Sequence, residues 1–112
     1  IIEFPLSPEG RWRDAVCPAE TWANRMVFTR DLQRGESVYM AEVSGFDPQK
    51  NYRFRIANQT EKAGLEITGS CPPFQISFWA SHLTACPEAF IRLSVLPGAS
   101  FSWSDRYFFY RF

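Results

Sequence analysis

The chain has 112 residues, 46% of them apolar and 17% aromatic, with twelve basic and twelve acidic side chains and a formal net charge of zero. A core of this size buries roughly two thirds of the unfolded surface, so one domain spanning 1–112 is expected, and the apolar share excludes disorder. Zero net charge argues against nucleic acid as the main partner, which needs a basic excess to displace counterions.

Ile1 to Leu6 reads as a short strand stopped by Pro5 and Pro8, hence an edge or an arm. Ser7 to Glu20 is loop-like, and its apolar anchors are Trp12, Val16 and the following Trp22. Arg25 to Leu32 places Met26, Phe28 and Leu32 on one face. Gln33-Arg34-Gly35-Glu36 then makes a turn and Ser37 to Val43 returns, which predicts a hairpin. Tyr52, Phe54 and Ile56 alternate with Arg53 and Arg55, the clearest half-buried strand in the chain.

A polar turn at 58–62 leads into Ala63–Thr68, with Leu65 and Ile67 facing inward. Gly69, Pro72 and Pro73 break the chain, after which Phe74, Ile76 and Phe78 alternate with Gln75, Ser77 and Trp79. Ala80 to Glu88 reads as a loop or a single helical turn carrying His82 and Cys86. Phe90 to Leu96 is a strand, Pro97-Gly98 turns the chain into Phe101–Trp103, and Tyr107–Phe112 closes it. Seven to nine short strands with Pro/Gly turns predict an all-β antiparallel sandwich, immunoglobulin-like or jelly-roll.

Phe46-x-Pro48-x-x-x-Tyr52-x-Phe54-Arg55-Ile56-x-Asn58 resembles the fibronectin type III segment that enters a strand through a tyrosine corner. The resemblance covers about a dozen residues. It implies an aligned sandwich in which the Tyr52 hydroxyl bonds backbone a few residues upstream, and it implies no function. The rest departs from that family, with more strands after Tyr52 and only Trp22 to stand for its early-strand tryptophan. The aromatic ending Arg106–Phe112 is expected to close the core or to augment a partner's sheet. No apolar run approaches the ~20 residues of a membrane helix.

Cys17, Cys71 and Cys86 match no CxxC spacing, and with one histidine no metal or cofactor is expected. Three buried thiols is one reading. The expectation adopted is one disulfide with an odd cysteine. Cys71–Cys86 is the simplest pair because it would tie the two ends of the Phe74–Trp79 region, leaving Cys17 over, although spacing does not choose among the three pairings. An opening Ile1 in place of Met adds to an expectation of a secreted or extracytoplasmic protein, mature after cleavage or cut from a longer chain.

His82 and Cys86 would meet on a helical turn, but a loop histidine beside a structural cysteine is the plainer reading, so no catalytic residue is expected. Trp79 is out of phase with Ile76 and Phe78, Trp12 lies in the charged run Arg11–Asp14, and Trp103 lies near the end. All three are binding candidates, since exposed rings seat sugars or partner side chains. Arg53 and Arg55 form a basic stripe, and Asn58-Gln59-Thr60 fits the N-glycosylation pattern. These features predict a non-catalytic module that binds another protein or its own copies. A carbohydrate-binding domain is the first alternative. The second is an inhibitor of a secreted hydrolase presenting Ser7–Pro18 or Leu83–Pro87.

Overall fold

In the computed structural model, whose described residues are 1–4, 9–13 and 17–112, the chain forms strands and turns with no helix among them. The strands are β1 (Ile2–Glu3), β2 (Glu9–Trp12), β3 (Ala19–Trp22), β4 (Arg25–Phe28) and β5 (Ser37–Ser44). They continue as β6 (Arg53–Asn58), β7 (Ala63–Gly69), β8 (Gln75–Ser81), β9 (Thr84–Phe90) and β10 (Asp105–Arg111). A six-stranded sheet runs β10-β7-β6-β1-β4-β3 and a four-stranded sheet runs β2-β5-β8-β9, with antiparallel neighbours throughout. The protein is the expected all-β sandwich.

Period-two alternation explains why these residues face each other. Ile2, Met26 and Phe54 point inward from the larger sheet, and Val38, Met40, Ile76, Phe78 and Ala80 from the smaller, forming one buried cluster. Rings bridge the layers, Phe28 lying 6.2 Å from Phe78, and Phe4 meets Phe54 edge-on at 5.8 Å. Ser77 is the buried polar side chain on β8, and its hydroxyl donates to Glu88 on the neighbouring strand at 3.1 Å.

Several local expectations change. β4 and β5 make no hairpin, because they belong to opposite sheets. The turn itself forms, with Glu36 N–H donating to the Gln33 carbonyl at 2.9 Å and Gly35 at φ 86°, but it lies within a crossover between layers. Met26 and Met40 have the same alternation, and each fills the core from its own side.

The segment read as a loop or helical turn is the β8–β9 hairpin, with His82-Leu83 as its two-residue tip. Pro87 hid this strand from a sequence reading. It is tolerated because β9 is the edge of its sheet. His82 and Cys86 therefore share no helical turn, and most of Leu83–Pro87 is strand rather than an inhibitor-like loop.

Residues 91–104 form no strand, although Ile91, Leu93 and Val95 alternate. They carry the chain from β9, the edge of the smaller sheet, to β10, the edge of the larger. The N-terminal residues are no edge either: β1 lies between β6 and β4. Ser7–Glu20, expected as a loop, holds β2 and the start of β3, after an expected arm at Ile1–Leu6. Residues 5–8 and 14–16 among them lie outside the described residues.

The expected Cys71–Cys86 disulfide does not form. Register gives the reason: Gln75 opposes Phe90, whereas Cys86 opposes Trp79, four residues further along β8. Cys71 lies before Gln75 in the connection from β7, off the β8–β9 ladder, while Cys86 is paired to β8 within it, so the ladder does not set the two thiols opposite each other. Cys17, the expected odd cysteine, is half-buried against the core.

Candidate binding surface

Three consecutive rings of β10, Tyr107, Phe108 and Phe109, are each more than half exposed. The strand's ladder to β7 is continuous, from Asp105 opposite Gly69 to Arg111 opposite Ala63. In the same register, Ser70 N–H donates to the Ser104 carbonyl and Phe112 N–H to the Lys62 carbonyl, both at 3.0 Å. Residues 104 and 112 therefore aim their backbone groups at β7, and so do the even positions between them. The odd positions Asp105, Tyr107, Phe109 and Arg111 aim theirs outward, where no described strand pairs with them.

Both faces of this strand are aromatic. Tyr107 opposes Ile67 and Phe109 opposes Leu65, so these rings continue the row that faces the core. The larger sheet overhangs the smaller one here, and Phe109 is 75% exposed. Phe108, 61% exposed, opposes Glu66 in the row of Arg55 and lies on the outer face. Leu96, Phe101 and Trp103, in the segment leading to β10, are exposed as well.

Side chains add to the ladder in holding the strand. The Tyr52 hydroxyl donates to Asp105 Oδ1. Burial first, and this bond second, hold that phenol above its usual pKa range. The bond runs forward to a side chain, where the resemblance to a tyrosine corner implied one running back to backbone. Tyr110 lies flat over Gly64, where a Cβ would overlap its ring, and accepts a 2.9 Å hydrogen bond from Arg55 Nε. The Arg55 guanidinium stands 5.2 Å from the Tyr110 ring centre, which adds a cation–π contact. Phe108 and Tyr110 stack with ring centres 6.2 Å apart.

The sequence-based candidates do not converge. Trp79, 37% exposed, is on the outer face of the smaller sheet between Tyr39 and Cys86. Trp12 is on the opposite face of that sheet, edge-on to Phe78 at 6.0 Å and packed against the core. Trp103 lies just before β10. Arg53 pairs with Glu66 at 2.7 Å, while Glu3 binds Arg25 at 3.1 Å and Arg55 at 3.4 Å, so carboxylates interrupt the basic stripe. Asn58 is exposed at the end of β6, and its side-chain oxygen accepts the N–H groups of Thr60 and Glu61 at 3.0 Å, shaping the β6–β7 turn.

Among the described residues no cluster of three His, Cys, Asp or Glu side chains is placed to hold a metal. No helix is long and apolar enough to cross a membrane. Comparison with protein-family models, curated proteins and solved structures finds no match.

The aromatics of β10 itself, Tyr107, Phe108 and Phe109, were not among the sequence-based site residues. The signal was present. A strand with arginines only near its ends and four consecutive aromatics between them has no polar face to give to water.

Proposed function

We propose that this domain is a non-catalytic recognition and assembly module whose binding surface is the edge of β10. One observation carries the reading. A seven-residue strand is paired along one side only, among the described residues, with large rings exposed on both faces. A long apolar edge of this kind is a template for a further strand unless something covers it, and strand addition is a general mode of protein recognition.

The test is hydrogen exchange at the Tyr107, Phe109 and Arg111 amides in dilute and concentrated protein, beside sedimentation velocity. Slow exchange in a dilute monomer would show that the chain covers its own edge, and would remove the reading. Fast exchange in the monomer supports it.

A sugar-binding reading has one observation in its favour, the partly exposed Trp79 beside Tyr39. Glycan-array binding with quenching of Trp79 fluorescence is its test, and silence across the array removes it. The Cys71 and Cys86 thiols are free, and the assembly reading carries no compartment.

A further inference from the structure

Arg111 and Arg106 have no ion-pair partner among the described residues, although they sit at either end of an aromatic strand. Asp105 offers Oδ1 to Tyr52, and its second carboxylate oxygen has acceptor capacity in hand. A strand edge with an acid at one end and an unmatched base at the other is complementary to itself in the antiparallel sense.

We infer that the partner at this edge is a second copy of the same chain, its β10 lying antiparallel to the first about a two-fold axis midway between Phe108 and its own copy. This inference rests on the assembly reading above and names its partner. A two-fold axis normal to a sheet keeps each side chain on its own face, so paired residues are both odd or both even and the axis runs midway between one residue and its own copy.

Among such registers, the one centred on Phe108 sets Asp105 opposite Arg111 at both ends of the contact. It also sets Tyr107 opposite Phe109, Arg106 opposite Tyr110 and Phe108 opposite its own copy. Shifting the centre to Tyr107 puts Asp105 against Phe109, and shifting it to Phe109 puts Arg111 against Tyr107. Either shift loses both ion pairs.

Backbone polarity agrees. The residues whose N–H and C=O groups point outward from β10 are the odd ones, and this register pairs odd with odd. It yields about eight inter-chain hydrogen bonds and joins two six-stranded sheets into one. Tyr107 and Phe109 of each copy then extend a shared apolar row beyond the smaller sheets. Phe108 faces Phe108 across a non-hydrogen-bonded pair, where Cα atoms approach to about 4.5 Å.

The test uses the whole chain and three variants. In Phe108→Cys the new thiols meet at the axis, within disulfide reach. Mild oxidation should give a covalent dimer in high yield, and the parent protein with its three native cysteines should give none. In Phe109→Cys the two thiols are staggered by two residues along the strand, and no dimer should form.

Phe109→Pro removes an N–H that points away from β7, so the monomer should keep its circular dichroism while self-association weakens at least ~10-fold. A dimer that cross-links at 109 but not at 108, or that Phe109→Pro leaves unchanged, overturns the proposed pairing. A parent protein that stays monomeric at high concentration overturns the second copy as partner. If the odd amides of that monomer exchange freely, the assembly reading survives with a different protein in this place. If they are protected, both fall.

Discussion

β1 and β10 are the shortest and one of the longest strands of the larger sheet, and their surroundings are reversed. β1 has two residues, yet it has a neighbour on each side and Ile2 is 1% exposed. β10 has seven residues and a row of rings, yet it has one neighbour and most of those rings face water. Apolar content ranks the two strands the wrong way round for burial. What decides is whether a second layer lies across the strand, and the four-stranded sheet covers β1 but stops short of β10. Buried rings stabilise this chain alone, and exposed rings in a paired row stabilise it only with company.

The sharpest way to break the comparison is to truncate one ring from each region. Phe4→Ala, next to β1 and edge-on to Phe54, should lower the stability measured by urea denaturation by about 3–5 kcal/mol, as other buried Phe truncations do. Phe109→Ser should change the stability of the dilute monomer by no more than about 0.5 kcal/mol while weakening self-association. Equal losses in the two variants would mean that β10 is core, and would end the distinction.

Gly69→Ala is next in size. The Tyr52 ring lies over Gly69, so a Cβ there must displace the ring or the strand, an overpacking cost of about 1–3 kcal/mol. Because Gly69 opposes Asp105, faster exchange should appear in β10 before it appears in β1.

Tyr52→Phe removes the hydroxyl bond to Asp105 and should cost about 0.5–1.5 kcal/mol at neutral pH. Its pH dependence has a definite sign. The folded-state pKa of Tyr52 is raised above the ordinary value of 10.0, chiefly by burial. The stabilisation is therefore complete below that value and is lost as pH rises through the higher folded-state one. In alkaline denaturation the parent should lose stability more steeply than Tyr52→Phe. Parallel curves would remove Tyr52 as the anchor of β10.

Glu36→Gln, in the turn between the layers, is the smallest change and a control remote from the β10 edge. Its paired hydrogen bonds with Arg30, at 2.8 Å each, are the first cause that brings the carboxyl down to about 2 from 4.5. That contribution is present above the ordinary glutamate range and is lost as pH falls through about 2. Acid denaturation should reveal a shallow difference between parent and variant, and association should not change.

Much of the fold is legible in local pattern. β6, β7 and the inward row of β8 follow from alternation, β5 follows it as far as Met40, and the turns at Gly35 and 58–62 form where their residues call for them. β9 was hidden by Pro87 and by its small residues. Of the strand expected at Phe90–Leu96 only Phe90 is strand, as the end of β9, and the rest is the connection from one sheet to the other. The binding candidates Trp12, Trp79, Trp103, Arg53 and Arg55 lie on different faces of the fold. Trp12 proved to pack on the core from one face of a sheet whose other face carries Trp79, and no sequence spacing contains that information.

The sequence by itself determined the class of the protein. Alternating apolar residues with Pro/Gly turns and no helical stripe leave antiparallel sheets as the way to bury that surface. It also held the aromatic, charge-ended composition of β10. Only the tertiary structure decided that β1 is central and β10 peripheral, that Cys71 lies off the ladder that pairs Cys86, and that the odd backbone groups of β10 face outward. Those outcomes depend on which strands are neighbours and where the second layer ends, and such long-range pairings are settled by the packing of the whole chain rather than by any one segment.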